Sequence, residues 1–326
     1  MKEIVIDKNE SDQRLDRFLK KYLGNASQAF IYKMLRKKNI KLNGKRANPD
    51  DRIVEGDIIH IYLSDETIEK FVATERVIKS KLIPNIVYED ENIILMNKKA
   101  GILSHGTGGE FEENIVDSMI NYLIEKKEYI PRIERTFTPS ICNRLDRNTS
   151  GIIIGAKNYQ SLKAMNEALR NSEVRRFYKT IVKGRIDNDF KSEGYLSKDE
   201  DRNRVEISRD YVDGSKKIET HIKVLKRTRD FSLLEVELIT GRTHQIRGHL
   251  SSLGHPIIGD RKYGDKNVNK KFLNEYDLEN QYLHGYKIEF NGLKDFLEYL
   301  NGKSFESPME EKFQKIERDL FGKIHD

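Results

Sequence analysis

The chain has a single cysteine, Cys142, in 326 residues. One cysteine excludes an intrachain disulfide framework and fits a reducing, cytoplasmic setting. No run of about 18 apolar residues occurs, which excludes a transmembrane helix. The opening stretch MKEIVIDKNESDQRLDRF lacks the apolar core of a secretory signal, so export is not expected. There is no dinucleotide fingerprint, and the Gly-rich loop from His105 to Gly109 lacks the Lys-Ser/Thr of a P-loop. That loop reads as a flexible connection, and no nucleotide cofactor is expected. His244 and His249 are five positions apart, the wrong spacing for two ligands on one helical face, so no metal is expected either.

What the chain does have is charge: 34% of its residues are charged and 37% hydrophobic, the profile of a well-solvated protein. Its length allows two or three domains with a sizeable core. The net charge of +6 is unevenly spread. Between Arg14 and Arg46 lie eleven Lys or Arg and one acid, Asp16, so this segment is +10 and the remainder near −4. A basic cluster the size of a small domain is the electrostatic footprint of a polyanion partner.

Residues 11–63 read as a small α+β module. Leu15, Phe18, Leu19 and Tyr22 share one helical face, and Gly24-Asn25 ends that helix. Ser27 caps a second helix with the stripe Phe30, Ile31, Met34 and Leu35. Asn43-Gly44 marks a hairpin, and EGDIIHIYL supplies a closing strand. Arg36, Lys37, Lys38, Lys41, Lys45 and Arg46 fall at the end of the second helix and in the hairpin, where they can meet phosphate while the apolar stripes stay inside. The division expected is 1–66 for this module, 67–84 for a charged linker and 85–326 for a second domain.

The second domain opens as strand, turn and strand around Asp90-Glu91-Asn92. The stretch ICNRLDRNTSGIIIGAKN then sets Asp146 between Arg144 and Arg147, ahead of a small polar turn and the buried strand Ile152-Ile153-Ile154. Alone, that Asp reads as a loop salt bridge, and Cys142 as a buried, inert thiol. A helix is expected near Gln160–Arg170, with Leu162, Met165 and Leu169 inward. RRFYKTIVKGRI, KKIETHIKVLKR and FSLLEVELIT read as strands, which gives a mixed, largely antiparallel α+β sheet. In the first of them, alternation puts Tyr178 on a face with Arg176 and Thr180, pointing to a polar cleft. In GRTHQIRGHLSSLGHPIIGDRKYG, Ile246, Leu250 and Leu253 mark a buried helical face, with Thr243, His244 and Arg247 on the neighbouring one. Residues from GLKDFLEYLN onward look like a charged terminal helix without chemistry.

Taken together, NRLDRNTSG, RRFYKTIVKG, GRTHQIRGHLSSLGHPIIGDRKYG and YLHGYKIEF resemble the successive motifs of the RluA-type pseudouridine synthases, over roughly residues 11–290. The helix–helix–hairpin module resembles the S4 RNA-binding domain carried by the large-subunit rRNA branch (RluC and RluD) of that family. Two positions depart from the family pattern: Asn143 stands where His is usual, and Ala100 where a Pro is usual. Asn cannot titrate, so a proton-handling role there is in doubt, while the Asp is retained.

The resemblance implies an RNA uridine isomerase, whose chemistry calls for neither cofactor nor metal; the cysteine count points to the cytoplasm, and a monomer is the default expectation. Its substrate would be large-subunit rRNA, free or in an assembling subunit; tRNA is the alternative. Asp146 would do the chemistry, by adding to the sugar, adding to the base or removing a 2′-proton. A nearby Arg would keep it ionised. Arg247 is the choice by resemblance; Arg242 and Arg144 are the alternatives, or hold phosphate or replace the displaced base. Tyr178 matches the stacking tyrosine under an extruded uracil. Thr243 and His244 would line the site, and His284 would shape the fold. Two rivals stand beside this reading. A non-catalytic ribosome-assembly protein has no need for a carboxylate facing a polyanion. A glycosidase-like hydrolase needs a second acid; the nearest, Asp260, reads better as ordering a turn.

Overall fold

The computed structural model describes residues 1–7, 9–72, 80–107, 112–129, 137–199 and 204–322. Residues 73–79 of the expected linker, Gly108 and Gly109 of the Gly-rich loop, and the last four residues lie outside these.

The N-terminal unit runs β1 (Lys2–Val5), β2 (Gln13–Arg14), α1 (Leu15–Tyr22), α2 (Gln28–Arg36), β3 (Ile40–Leu42), β4 (Lys45–Arg46), β5 (Arg52–Ile53), β6 (Ile58–Ile61) and α3 (Asp65–Phe71). Leu15, Phe18, Leu19 and Tyr22 of α1 and Ile31, Met34 and Leu35 of α2 are all buried, as their spacing requires. The Ser27 hydroxyl accepts from Phe30 N at 3.2 Å and caps α2. Asn43 and Gly44 both have positive φ, 49° and 74°, the two-residue turn a tight hairpin needs. The sheet order is β1-β6-β3-β4, with β2 and β5 paired separately. The charged connector opens on a helix, because Ser64 caps α3 and Ile68 joins the core of this unit. Phe71 meets Phe30 at 4.5 Å between ring centroids.

The second unit comprises β7 (Ile86–Glu89), β8 (Ile93–Lys98), α4 (Ile115–Glu125), β9 (Ser140–Ile141), β10 (Ser150–Ala156), α5 (Tyr159–Arg170), β11 (Val174–Lys183), β12 (Phe190–Asp199) and β13 (Arg204–Ser208). It continues with β14 (Lys216–Arg227), β15 (Phe231–Leu238), α6 (Gln245–Ser252), α7 (Lys266–Tyr276), β16 (Leu283–Phe290), β17 (Ser304–Glu306) and α8 (Glu311–Phe321). Eleven strands form one sheet in the order β13-β12-β14-β15-β11-β16-β10-β8-β7, with β17 on β16 and β9 on β10. The mixed, largely antiparallel α+β architecture follows. Ile153 of β10 faces one apolar cluster, while Ile152 and Ile154 face another. A strand buried on both faces reads as a continuous apolar run.

Among the named strands only β10 and β16 pair in parallel, with Ser150 opposite His284 and Gly151 opposite Gly285. Gly285 also stands opposite Tyr178 of β11, next to a register shift between Phe177 and Tyr178. Tyr178, Gly285 and Gly151 therefore form a row across three strands, and the loop carrying Asp146 enters β10 beside Tyr178. A Cβ at Gly151, whose φ is +124°, would collide with Gly285 O at 2.3 Å, and one at Gly285 would crowd the Tyr178 ring at 3.1 Å.

Two expectations need correction. Leu253 is not part of the buried face of α6; it follows the last helical residue and is exposed, because the chain turns away at Gly254 with φ 84°. The C-terminal segment is not one charged helix. It makes a 3-10 turn at Asp295–Leu300, adds β17 to the sheet and sends Phe313, Ile316 and Phe321 of α8 into the core. Phe313 stacks on Tyr282 at 4.1 Å. No helix among the described residues is long and apolar enough to cross a membrane.

Candidate active site

The loop before β10 closes on itself through Thr149 N donating to Asp146 O at 3.0 Å. Gln281 donates to the Thr149 hydroxyl at 3.1 Å, and the Ser150 hydroxyl meets His284 Nδ1 at 2.8 Å. Behind the loop, Lys98 is 1% exposed, and its ammonium donates to the carbonyls of Lys99, Ile102 and Arg147 at 2.9–3.0 Å. Burial pushes Lys98 down to about 7, against the charges of Asp146 and Glu310. The backbone around Asp146 is thus pinned on both sides, while its carboxylate reaches a recess at the head of β10.

Arg247, on α6, joins two carboxylates. Its Nη1 donates to Asp146 Oδ2 at 2.8 Å, and its Nε and Nη2 grip Asp260 at 2.7 and 2.9 Å. Asp260 is fully buried and also accepts from Lys262 N and Tyr263 N. Burial pushes the Asp260 carboxyl up, but the Arg247 guanidinium and these two backbone donors outweigh it and hold it below the usual carboxylate range. Burial opposes the charge of Arg247 too, and the two carboxylates reverse that and hold it above the ordinary arginine value. Asp260 orders its turn as the sequence suggested, and it is also the anchor that aims Arg247, a role the motif spacing did not reveal.

A recess of about 50 Å³ is bordered by Asp146, Tyr178, Arg144, Arg242, His244 and Arg247. It opens beside a cleft of about 1160 Å³ that runs past Arg144, Arg176 and Thr243 to Lys163 and Arg170 on α5. Arg144, Arg242 and Thr243 are exposed. Tyr178 borders the cleft together with Arg176, as alternation placed them, but it is more deeply set than a polar face suggests. It is only 6% exposed and packs into the main apolar cluster, so its ring forms a wall of the recess from within the core. Thr180 turns inward to donate to Tyr282 O at 2.7 Å. Thr243 and His244 do not project from a helix, because α6 begins at Gln245 and His244 is left-handed at φ 54°, ψ 15°.

Asn143 pairs with the backbone of β10. Its Oδ1 accepts from Ile154 N at 2.8 Å and its Nδ2 donates to Ile152 O at 3.3 Å. One side chain thus accepts and donates as a peptide group would, which an amide does and an imidazole cannot do side by side. Burial pushes the Cys142 thiol up to about 12, so it is no nucleophile at neutral pH.

His284 links Ser150 to Ser307 inside the sheet and is 1% exposed. Burial pushes it down from 6.5 to about 4. Its neutral form stabilises the fold fully above pH 6.5, and that contribution is lost as pH falls toward 4, where the unfolded chain takes up the proton first. His284→Gln is expected to flatten the pH dependence of unfolding free energy in that window by about 3 kcal/mol. Denaturant titrations at several pH values check this, and an unchanged slope contradicts it.

The basic residues of the first unit are displayed outward: Arg36, Lys37, Lys38, Lys45 and Arg46 are exposed, and Lys41 lies 5.1 Å over the Tyr62 ring.

Residues 92–252 match the family described as RNA pseudouridylate synthase, and residues 13–59 match the S4 domain. The chain is 33% identical over 307 residues to an uncharacterized RNA pseudouridine synthase of Mycoplasma capricolum, covering 93% of this chain and 96% of that one. It is 31% identical over 323 residues to the ribosomal large subunit pseudouridine synthase C of Haemophilus influenzae, covering 97% and 95%. Among solved structures, human RNA pseudouridylate synthase domain containing 4 superposes with a TM-score of 0.56 at 20% identity, covering 72% of this chain and 92% of that one, a likeness of fold. With relatives of this identity aligned over nearly their whole length, the chain belongs to the RluA family of RNA pseudouridine synthases and carries an N-terminal S4 domain.

Proposed function

We propose that this pseudouridine synthase modifies uridine in large-subunit ribosomal RNA and that Asp146 is the group that performs the chemistry. The observation carrying the second part is the 2.8 Å hydrogen bond of Arg247 to Asp146 in a recess walled by Tyr178. The first part is supported by relatives named ribosomal large subunit pseudouridine synthase C, at 29–31% identity over most of the chain.

Isomerisation breaks the C1′–N1 bond of uridine, forms a C1′–C5 bond, releases the C5 hydrogen as a proton and leaves N1 to take up a proton in its place. A target uridine in folded RNA must leave its stack to reach this recess. Tyr178 offers the extruded uracil an aromatic edge and face. Asp146 then adds to C1′, adds to the uracil ring or takes the 2′-proton, and all three fit a single carboxylate at this position. Arg247 holds that carboxylate in one orientation. Arg144 and Arg242, exposed at the mouth, suit phosphate or the space the uridine vacates, and Thr243 lies on the path of the strand.

Release of tritium from C5 decides the substrate, and the same assay on Asp146→Asn decides the reacting group. Purified protein should release label from [5-³H]uridine in large-subunit rRNA transcripts and not from tRNA transcripts. Release from tRNA alone would reassign the substrate, and binding without release from any RNA would favour the assembly-factor reading.

Arg36, Lys37, Lys38, Lys41, Lys45 and Arg46 of the S4 domain are proposed to meet phosphate. Replacing Arg36, Lys37, Lys38 and Lys45 with Gln should reduce the salt slope of RNA binding by about 0.7–0.9 for each phosphate no longer neutralised. An unchanged slope would remove this corner from the interface.

A further inference from the structure

The turn at residues 260–263 supports both groups that face Asp146. Through Asp260 it holds Arg247. Through Tyr263 it holds His244, whose Nδ1 lies 3.0 Å from the Tyr263 hydroxyl. That hydroxyl oxygen also accepts from Val205 N at 2.8 Å. Val205 N cannot accept the phenolic proton, and Nδ1 is the acceptor within its reach. An Nδ1 that accepts carries no proton, and a neutral imidazole then keeps its proton on Nε2. Nε2 faces Asp146 Oδ2 at 3.8 Å, longer than a hydrogen bond, and both residues border the recess.

We propose that Tyr263 is a positioning residue that locks His244 as the neutral, Nε2-protonated imidazole and aims that N–H at the ribose and uracil beside Asp146. The proposal rests on the reading of this recess as the isomerisation site.

The surroundings agree with it. A charged imidazole would present Nδ1–H to an oxygen that already accepts from Val205, inside a side chain only 9% exposed. Burial pushes His244 down; Asp146 and Asp260 oppose this, Arg247 and Lys262 add to it, and the net direction is down. His244 is held left-handed immediately before α6, a conformation that non-Gly residues rarely keep without being over-determined by their surroundings. The Tyr263 ring itself is held, with Arg247 and Arg204 guanidinium groups 5.2 and 5.1 Å from its centroid.

A fixed N–H has a clear use here. When the C1′–N1 bond breaks, its electron pair leaves with uracil and the negative charge spreads to the ring carbonyl oxygens. That pair then forms the C1′–C5 bond, and loss of the C5 proton returns a pair to N1, which takes up a proton. A donor already aimed at an oxygen where charge develops stabilises that state without reorganising.

The test is Tyr263→Phe, which keeps the ring and removes the hydroxyl. Single-turnover isomerisation at saturating RNA should fall at least about tenfold, with RNA affinity within about twofold. The acid limb of the rate profile should move to higher pH, because the phenolic O–H no longer stabilises the neutral ring through Nδ1. In a His244→Gln background the same change should cost almost nothing further, since Tyr263 acts through His244. Long-range ¹⁵N–¹H correlation on the wild type, with His244→Gln as the assignment reference, should show His244 protonated at Nε2. A wild-type Nδ1–H tautomer, a superimposable pH profile, or an equal loss in the His244→Gln background would each overturn the proposal. Wild-type protein that binds RNA but does not isomerise it would instead overturn the reading of the recess.

Discussion

Asp146→Asn is expected to cut isomerisation by at least about 10³-fold while RNA affinity stays within about tenfold. Asn has the shape of Asp and still offers Arg247 an amide oxygen, so the bond made at 2.8 Å can persist with a neutral acceptor. Arg247 also keeps both bonds to Asp260, so the recess stays assembled. What disappears is a group that can take a proton or form an ester-like bond to a carbon. The carboxylate contributes no attraction to phosphate, so its removal takes nothing from RNA binding. Single-turnover rates measured beside filter-binding affinities separate the two effects. Turnover within tenfold of wild type would place the chemistry on another group, and equal losses of binding and rate would make Asp146 a structural residue.

Arg247→Met should be damaging in two separable ways. Asp260 is fully buried, and its side chain is gripped by Arg247 at 2.7 and 2.9 Å. Removing the guanidinium leaves a buried carboxylate that has lost its cation and keeps the Lys262 and Tyr263 backbone donors, a loss of about 3–5 kcal/mol of folding stability. Asp146 meanwhile loses the bond that aims it, and the rate should fall by about 10²–10³-fold. Adding Asp260→Asn removes the uncompensated buried charge, so the double variant should recover much of the stability but none of the activity. Denaturant unfolding and rate measurements on both variants check this. Recovery of activity with stability would mean that Arg247 serves only the fold. Arg247→Lys should fail as well, because one ammonium cannot span both carboxylates as the fork does.

Most of the regular elements were legible because local rules and tertiary packing agree in them. The stripe from Leu15 to Tyr22, the Asn43-Gly44 turn and the Ile152–Ile154 run each carry their own explanation. The helix α3 was less visible because its apolar content toward the core is little more than Ile68 and Phe71, although Ser64 followed by Asp65 and Glu66 is a capping pattern. Spacing placed Thr243 and His244 on the helix of Arg247, and the left-handed turn at His244 breaks that inference. Alternation put Tyr178 on the cleft with Arg176, where it lies, but did not show that Thr180 turns inward or that the register shift seats the Tyr178 ring over Gly285. The site itself was half legible. Asp146, Tyr178 and Arg247 stand in recognisable motifs. Asp260 and Tyr263 matter because a turn brings them back to α6, and no one-dimensional pattern reports such a return.

The central claim is that the carboxylate of Asp146 isomerises uridine in large-subunit rRNA. Carbodiimide mapping of pseudouridine in total RNA tests it most directly, comparing cells that lack this gene with cells complemented by wild type or by Asp146→Asn. One or a few large-subunit rRNA positions should lose pseudouridine without the gene and regain it with wild type alone. Restoration by Asp146→Asn, or loss confined to tRNA, would contradict the claim.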